Sequence, residues 1–285
     1  MIWLWKLVKG LFIFGLISGL VFASSVFTVL FYAKVTGQYD EVFEDDVRPV
    51  VFAETETTDP SSGGEELDAS AKTLAAEKAA DADRPPKKPR AMLDAPLIQQ
   101  YPELPRGCEV TSLTMLFQYY GIDKNKMELA QEMKKDPTPL EVNPDGSIRF
   151  WGDPNSGFVG DITLNGRGFG IYHKALSELL KKYIPTGVDL TGSPFATLEE
   201  QVSRGIPVVV WTTTNYRVPE RWVEWDSPNG PVRTTFSEHA VLLVGYDEKH
   251  VYVNDPLKSA PKVKVDRQQF IESYIAMGKQ ALSYE

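Results

Sequence analysis

From Ala53 to Arg90 the chain has almost nothing to bury. Along "AETETTDPSSGGEELDASAKTLAAEKAADADRPPKKPR" the only large apolar side chains are Leu67 and Leu74, set among acidic and small residues. Such a stretch cannot withdraw enough apolar surface from water to offset the entropy lost on ordering. "LDASAKTLAAEKAA" has helix propensity but little apolar face with which to dock. The acidic composition sets in near Thr36, so residues 36–90 are expected to form a disordered linker that ends in the stiff spacer "RPPKKPR". Folding is confined to what lies on either side.

On the N-terminal side Leu11 to Ala33 reads "LFIFGLISGLVFASSVFTVLFYA", with no charge. A helix needs about 20 apolar residues to cross a bilayer, and this run supplies them. A cleaved signal peptide ending at Val21-Phe22-Ala23 is one reading, and an uncleaved anchor is the other. The run continues ten residues past that site, which favours the anchor. Lys6 and Lys9 precede it, whereas only Lys34 follows before acidic residues take over. The positive-inside tendency then puts the N-terminus of a single-pass protein in the cytoplasm and the remainder outside. Residues 1–35 are accordingly expected to be a transmembrane anchor.

On the C-terminal side, residues 91–285 have the size of one domain. Helical spacing runs through Cys108 to Tyr120, "KNKMELAQEMKK", "YHKALSELLKKY" and "TLEEQVSRG". Strand-forming residues fill "IPVVVWTTTN", "ERWVEWD", "HAVLLVGYD" and "HVYVNDP". Helices grouped before strands predict an α+β domain. The net charge of −9 offers no Lys/Arg-rich face for nucleic acid or anionic lipid. A single cysteine forms no internal disulfide, so a free thiol outside the cell asks for a reason.

That cysteine, Cys108, follows the breaker cluster Pro105-Arg106-Gly107 and opens a helix that stops at Gly121. Unpaired N–H groups and the positive end of the macrodipole at a helix start favour a thiolate over a thiol. By helical phase Cys108 lies off the stripe of Val110, Leu113, Phe117 and Tyr120. The competing reading is an inert, buried cysteine acting as a small apolar filler.

A nucleophilic thiol commonly takes a histidine as its base, and the chain has three, His173, His239 and His250. His239 heads "HAVLLVGYDEKHVYVNDP", a hairpin pattern with a five-residue loop, Gly245 to Lys249. That register sets His239 opposite Asp255, on one face and close enough for the carboxylate to hold the imidazole. A slip of one residue would bring Asn254 there instead, and an asparagine can also orient a histidine. His250 falls beside the loop on the other strand face and is expected in solvent; His173 is a weaker alternative base. Three histidines and one cysteine do not make a zinc site.

The oxyanion of acyl transfer needs donors, which the helix-start N–H of Cys108 and the amide of Gln100 or Gln99 can supply. Taken in order, "QYPELPRGCEVTSLTMLFQYYG", "GFGIYHKAL", "EHAVLLVGYD" and "VYVNDP" resemble the bacterial C39-like cysteine peptidases, from about Pro96 to Pro256. The resemblance implies a papain-like fold, with the cysteine helix packed on an antiparallel sheet carrying the histidine and the aspartate. It implies the roles of nucleophile for Cys108, base for His239, orienting acid for Asp255 and oxyanion donor for Gln100, with no metal or organic cofactor. The expected partner is a peptide or protein substrate, cut by a monomeric catalytic domain. Relatives fused to exporters cut leader peptides inside the cell, a specificity not carried over to a domain expected outside. A cell-wall peptide amidase or transpeptidase is a variant of the same chemistry; a non-catalytic binding module is the rival. Residues 142–170, rich in glycine, are expected to be a loop rimming the site. Trp151, Phe158, Phe169 and Trp211 would either line a substrate groove or pin that loop to the body.

Overall fold

The computed structural model describes residues 86–285; the apolar run and the linker up to residue 85 lie outside the described residues. Along the chain the elements are β1 (Ala91–Met92), α1 (Cys108–Tyr120), α2 (Lys126–Glu132), β2 (Lys135–Asp136), β3 (Glu141–Val142), β4 (Ile148–Phe150) and β5 (Phe158–Val159). Then come α3 (His173–Tyr183), β6 (Gly187–Asp189), α4 (Phe195–Ser203), β7 (Val208–Thr213), β8 (Val223–Ser227), β9 (Gly230–Thr234) and β10 (Glu238–Tyr246). The chain closes with β11 (His250–Asn254), β12 (Val263–Asp266), α5 (Arg267–Ala276) and β13 (Ala281–Tyr284). Among the described residues no helix is long and apolar enough to cross a membrane.

The main sheet runs β12-β11-β10-β7-β13-β6 with antiparallel neighbours, and β1 pairs with the far end of β10. Every residue of β7 and β10 is buried, as in central strands covered on both faces, so both read as unbroken apolar runs rather than as alternations. Helix α1 packs on these two strands, and Ser112 Oγ donates to the carbonyl of Ala240 at 3.0 Å. It buries every residue from Cys108 to Phe117, while Tyr120 stays exposed. The expectation of a one-sided stripe with Cys108 off it is therefore corrected: α1 is enclosed all round, and its first turn lies inside. Gly121 ends the helix as expected, at φ 100°, with its N–H on the carbonyls of Phe117 and Gln118.

Helices do not simply precede strands. A second sheet of order β3-β4-β8-β9 joins two strands of the first half to two of the second, the short β2-β5 pair lies in the first half, and α5 and β13 follow the strands. Residues 142–170, expected to be a loop, thus contribute β4 and β5, and they are nailed down by buried Trp151 and Phe158. The linker boundary also moves. Lys87 Nζ lies 2.5 Å from Glu199, the Lys88 N–H donates to Ser203 Oγ at 2.9 Å, and Tyr246 donates to the carbonyl of Lys88 at 2.6 Å.

The β10–β11 register differs from the expected one. Leu242 faces Asn254 and Leu243 faces Val253; after a bulge, Gly245 faces Tyr252 and Tyr246 faces Val251. The turn is tighter than five residues because Asp247 Oδ1 accepts from the N–H groups of Lys249 and His250, both at 2.8 Å. Near the sheet end the pairing is displaced by two residues, not one. A two-residue shift conserves the facing of side chains, so His239 and Asp255 stay on one face as diagonal neighbours rather than as an opposed pair.

Candidate active site

The segment before α1 is folded back on itself. Leu104 N–H donates to Gln100 O and Gly107 N–H to Leu104 O, both at 2.9 Å, while Gln100 Nε2 donates to Pro105 O at 2.6 Å. The Gln100 N–H reaches the carbonyl of Pro256 at 2.9 Å, so the turn is stitched to the chain that follows Asp255. This brings the Gln100 side chain, 3% exposed, to the start of α1. Gln99 points to solvent, and its carbonyl takes Lys126 Nζ at 2.5 Å.

On the sheet, His239 Nε2 and Asp255 Oδ1 are 2.7 Å apart, both buried. Asp255 is held further by the Leu257 N–H at 2.8 Å and by a short hydrogen bond from the Tyr216 hydroxyl. Burial works to raise the Asp255 pKa, but the bonds from His239 and Tyr216 prevail and keep it below the usual carboxylate range. With Nε2 engaged, Nδ1 is the nitrogen left to serve a thiol. Asn254, the alternative, is used elsewhere: its amide donates to Ala95 O at 2.9 Å and Pro96 O at 3.0 Å, and its oxygen accepts from Lys262 N–H at 2.9 Å. His173 Nδ1 pairs with Asp189 at 2.6 Å and His250 Nδ1 with Asp247 at 3.2 Å, and neither lines the site. His250, expected in solvent, is half-buried.

Gln100, Cys108, Glu238 and His239 line one cavity of about 220 Å³, walled on another side by Phe169 and Phe236. The wall is set by residues 160–168, which Arg106 clasps: its guanidinium donates to the carbonyls of Asp161 at 3.1 Å and Gly166 at 2.9 Å, and to that of Thr163. A Cβ on Gly168 would sit 1.9 Å from the carbonyl oxygen of Asp161, so only glycine permits this crossing. Of the four aromatics considered from sequence, Phe169 lines the cavity, while Trp151, Phe158 and Trp211 belong to the core.

The sequence reading missed two carboxyls. Glu109 is fully buried beside the thiol, taking the Ile171 N–H at 2.8 Å on Oε1 and the Cys108 Sγ–H at 3.4 Å on Oε2. Glu238, 8% exposed, has an Oε1 with no hydrogen-bond partner. Burial pushes Glu109 up to about 7, and burial together with Glu109 pushes Glu238 well above its ordinary value. The thiol responds in the same sense. Burial first, then the charges of Glu109 and Glu238, raise Cys108 well above an ordinary thiol, against the pull of the Ala240 backbone. The expected acidification by the helix start is thus corrected: two neighbouring carboxyls and loss of water outweigh a partial dipole charge. One signal for Glu109 is in the sequence, since it shares the helical phase of Leu113, Leu116 and Tyr120, an apolar stripe on which an acid is out of place.

A profile of the Peptidase C39-like family matches residues 92–282. The chain belongs to this family. Its C39-like domain is 41% identical over 182 residues to the uncharacterized protein YvpB of Bacillus subtilis (strain 168), covering 64% of this chain and 70% of that one. It is also similar to a crystal structure of a Bacillus anthracis protein classed as a C39-like peptidase. The identity there is 45% and the TM-score 0.63, covering 70% of this chain and 98% of the other. The fold is accordingly a C39-like peptidase fold of mixed helix and sheet.

Proposed function

We propose that the domain is a cysteine peptidase that works through Cys108, His239 and Asp255. The observation that carries this reading is that His239, gripped through Nε2 by Asp255 at 2.7 Å, lines the same cavity as Cys108 and Gln100. A substrate carbonyl entering there meets the sulfur. His239 Nδ1 takes the thiol proton as sulfur bonds to the carbonyl carbon, and Asp255 stabilises the imidazolium. Gln100 Nε2, with one hydrogen on Pro105 O and one spare, donates with the Cys108 N–H to the oxyanion. The imidazolium then protonates the leaving amine, and a water deprotonated by His239 releases the acyl group from its thioester. The apolar run 11–33 is proposed to hold the domain at the outer face of a membrane, to be checked by co-sedimentation of the full chain, but not of a chain lacking residues 1–35, with lipid vesicles.

The rival reading, a non-catalytic binding module, is favoured by one observation: the resting thiol donates to Glu109 and is pushed up, not down. Hydrolysis separates the two. The full chain should cleave members of a mixed peptide library, and Cys108→Ala should lose at least about 10³-fold of that rate while retaining its thermal melt. A wild-type chain that cleaves no peptide under these conditions ends the peptidase reading.

A further inference from the structure

The peptidase mechanism has no use for Glu109 or Glu238, yet both carboxyls are buried against the sulfur. One oxygen of each and Cys108 Sγ lie within 4.8 Å of one another. Glu109 spends Oε1 on the Ile171 N–H and leaves Oε2 only a weak thiol donor. Glu238 Oε1 has no partner at all, although the residue is more than nine-tenths buried and faces the cavity. A buried carboxyl oxygen without a hydrogen-bond partner is costly, and water is not its only remedy. Gly170 fixes the arrangement: a Cβ there would lie 2.2 Å from Glu109 Oε1 and 3.2 Å from Glu238 Oε2, so this backbone packs directly on both acids.

We propose that Cys108, Glu109 and Glu238 form a binding site for a thiophilic divalent cation of the Zn²⁺ class. One sulfur and two carboxylate oxygens are ligands such an ion accepts, at about 2.3 Å and 2.0–2.2 Å, with a fourth position for water from the cavity. Those bonds require ligand atoms about 3.5 Å apart, a closure that side-chain torsions can provide. The sulfur excludes Ca²⁺ and Mg²⁺, which take oxygen ligands, and gives a substrate ammonium nothing that a carboxylate alone would not. On binding, the Cys108 S–H bond breaks and its electron pair goes to the metal; the thiol proton, together with the protons that the two raised carboxyls hold, leaves to solvent. The metal-held sulfur is withdrawn from acyl transfer, so the ion acts as a reversible block. That consequence rests on the peptidase reading; the binding itself does not.

The test uses the full, untagged chain titrated with Zn²⁺ by calorimetry, with Co²⁺ as an optical probe. One Zn²⁺ per chain is expected, along with slowed alkylation of Cys108 by iodoacetamide and a near-ultraviolet sulfur-to-Co²⁺ band that Cys108→Ser abolishes. Glu238→Gln should weaken Zn²⁺ binding by about tenfold or more. Should Glu238→Gln fail to fold, Glu109→Gln, which keeps an acceptor for the Ile171 N–H, carries the same expectation. Absence of Zn²⁺ binding by the wild type, or equal binding by wild type and the carboxyl variants, overturns the site. Because no substrate is present, a chain that binds Zn²⁺ but cleaves nothing overturns only the peptidase reading, and one that cleaves but binds no Zn²⁺ overturns only this one.

Discussion

Asp255 is fixed by three donors, the distant His239 and Tyr216 and, two residues on, the Leu257 N–H. Its folded-state pKa lies below the ordinary 3.8, so its bonds stabilise the domain fully above that pH and are lost as pH falls through the folded value. Asp255→Asn keeps the shape but not the charge, and should cost about 1–3 kcal/mol at neutral pH. The gap between the two chains in urea melts should then shrink as the pH is lowered below 3.8. A gap independent of pH would mean that the carboxylate charge contributes nothing. At this scale the sequence is informative where residue types are rare. One cysteine and three histidines leave few pairings, and the hairpin pattern brings His239 to Asp255. Nothing in the sequence marks Glu238, because in a regular strand the neighbour of an inward histidine faces outward. Both residues nevertheless line the cavity at the buried start of β10. The ionisation of Cys108 is illegible in sequence for a like reason: a helix start is visible there, whereas the water and carboxyls around it are not.

Elements were legible in proportion to how much of their pattern is local. Strands β7 and β10 announce themselves as long β-branched runs, and α1 by a breaker at one end and a glycine at the other. The bulge between Leu243 and Gly245 has no such mark, since it answers to three strands, β11 on one edge and β7 followed by β1 on the other. Helix α5 carries little apolar pattern although Asp266 caps it by accepting from the Gln269 N–H at 2.9 Å; its buried face is little more than Phe270, Ser273 and Tyr274. The glycine-rich stretch before α3 looks structureless in sequence because close crossing of backbones, not side-chain pattern, holds it. Gly168→Ala tests that account. Its methyl group would meet the Asp161 carbonyl, so the crossing must open, destabilising the domain by about 1–3 kcal/mol. The urea midpoint should fall accordingly; an unchanged midpoint would show that residues 160–168 are not held by this contact.

Across the whole domain, the segment entering from the acidic stretch is tied down at Glu199, Ser203 and Tyr246, none of which lines the Cys108 cavity. Glu199 on α4 is buried and meets two cations: Arg267, at the start of α5, reaches both carboxylate oxygens at 2.6 and 3.1 Å, and Lys87 reaches one at 2.5 Å. Lys87 also lies over the ring of Tyr246, 5.4 Å from its centre, beside the β1–β10 pairing. Removing either cation leaves the same buried carboxylate, but with different remaining support. Without Lys87, a bidentate arginine still satisfies both oxygens; without Arg267, a single lysine ammonium, itself partly in solvent, must do so. Arg267→Met should therefore destabilise the domain by about 3 kcal/mol, in the range for stranding a buried charge. Lys87→Met should cost under about 1 kcal/mol, as an exposed pair would. Equilibrium urea unfolding of the two variants decides the order. Should Lys87→Met cost the more, the N-terminal segment would be an integral part of the fold rather than a strap laid across a domain that α4 and α5 already hold together.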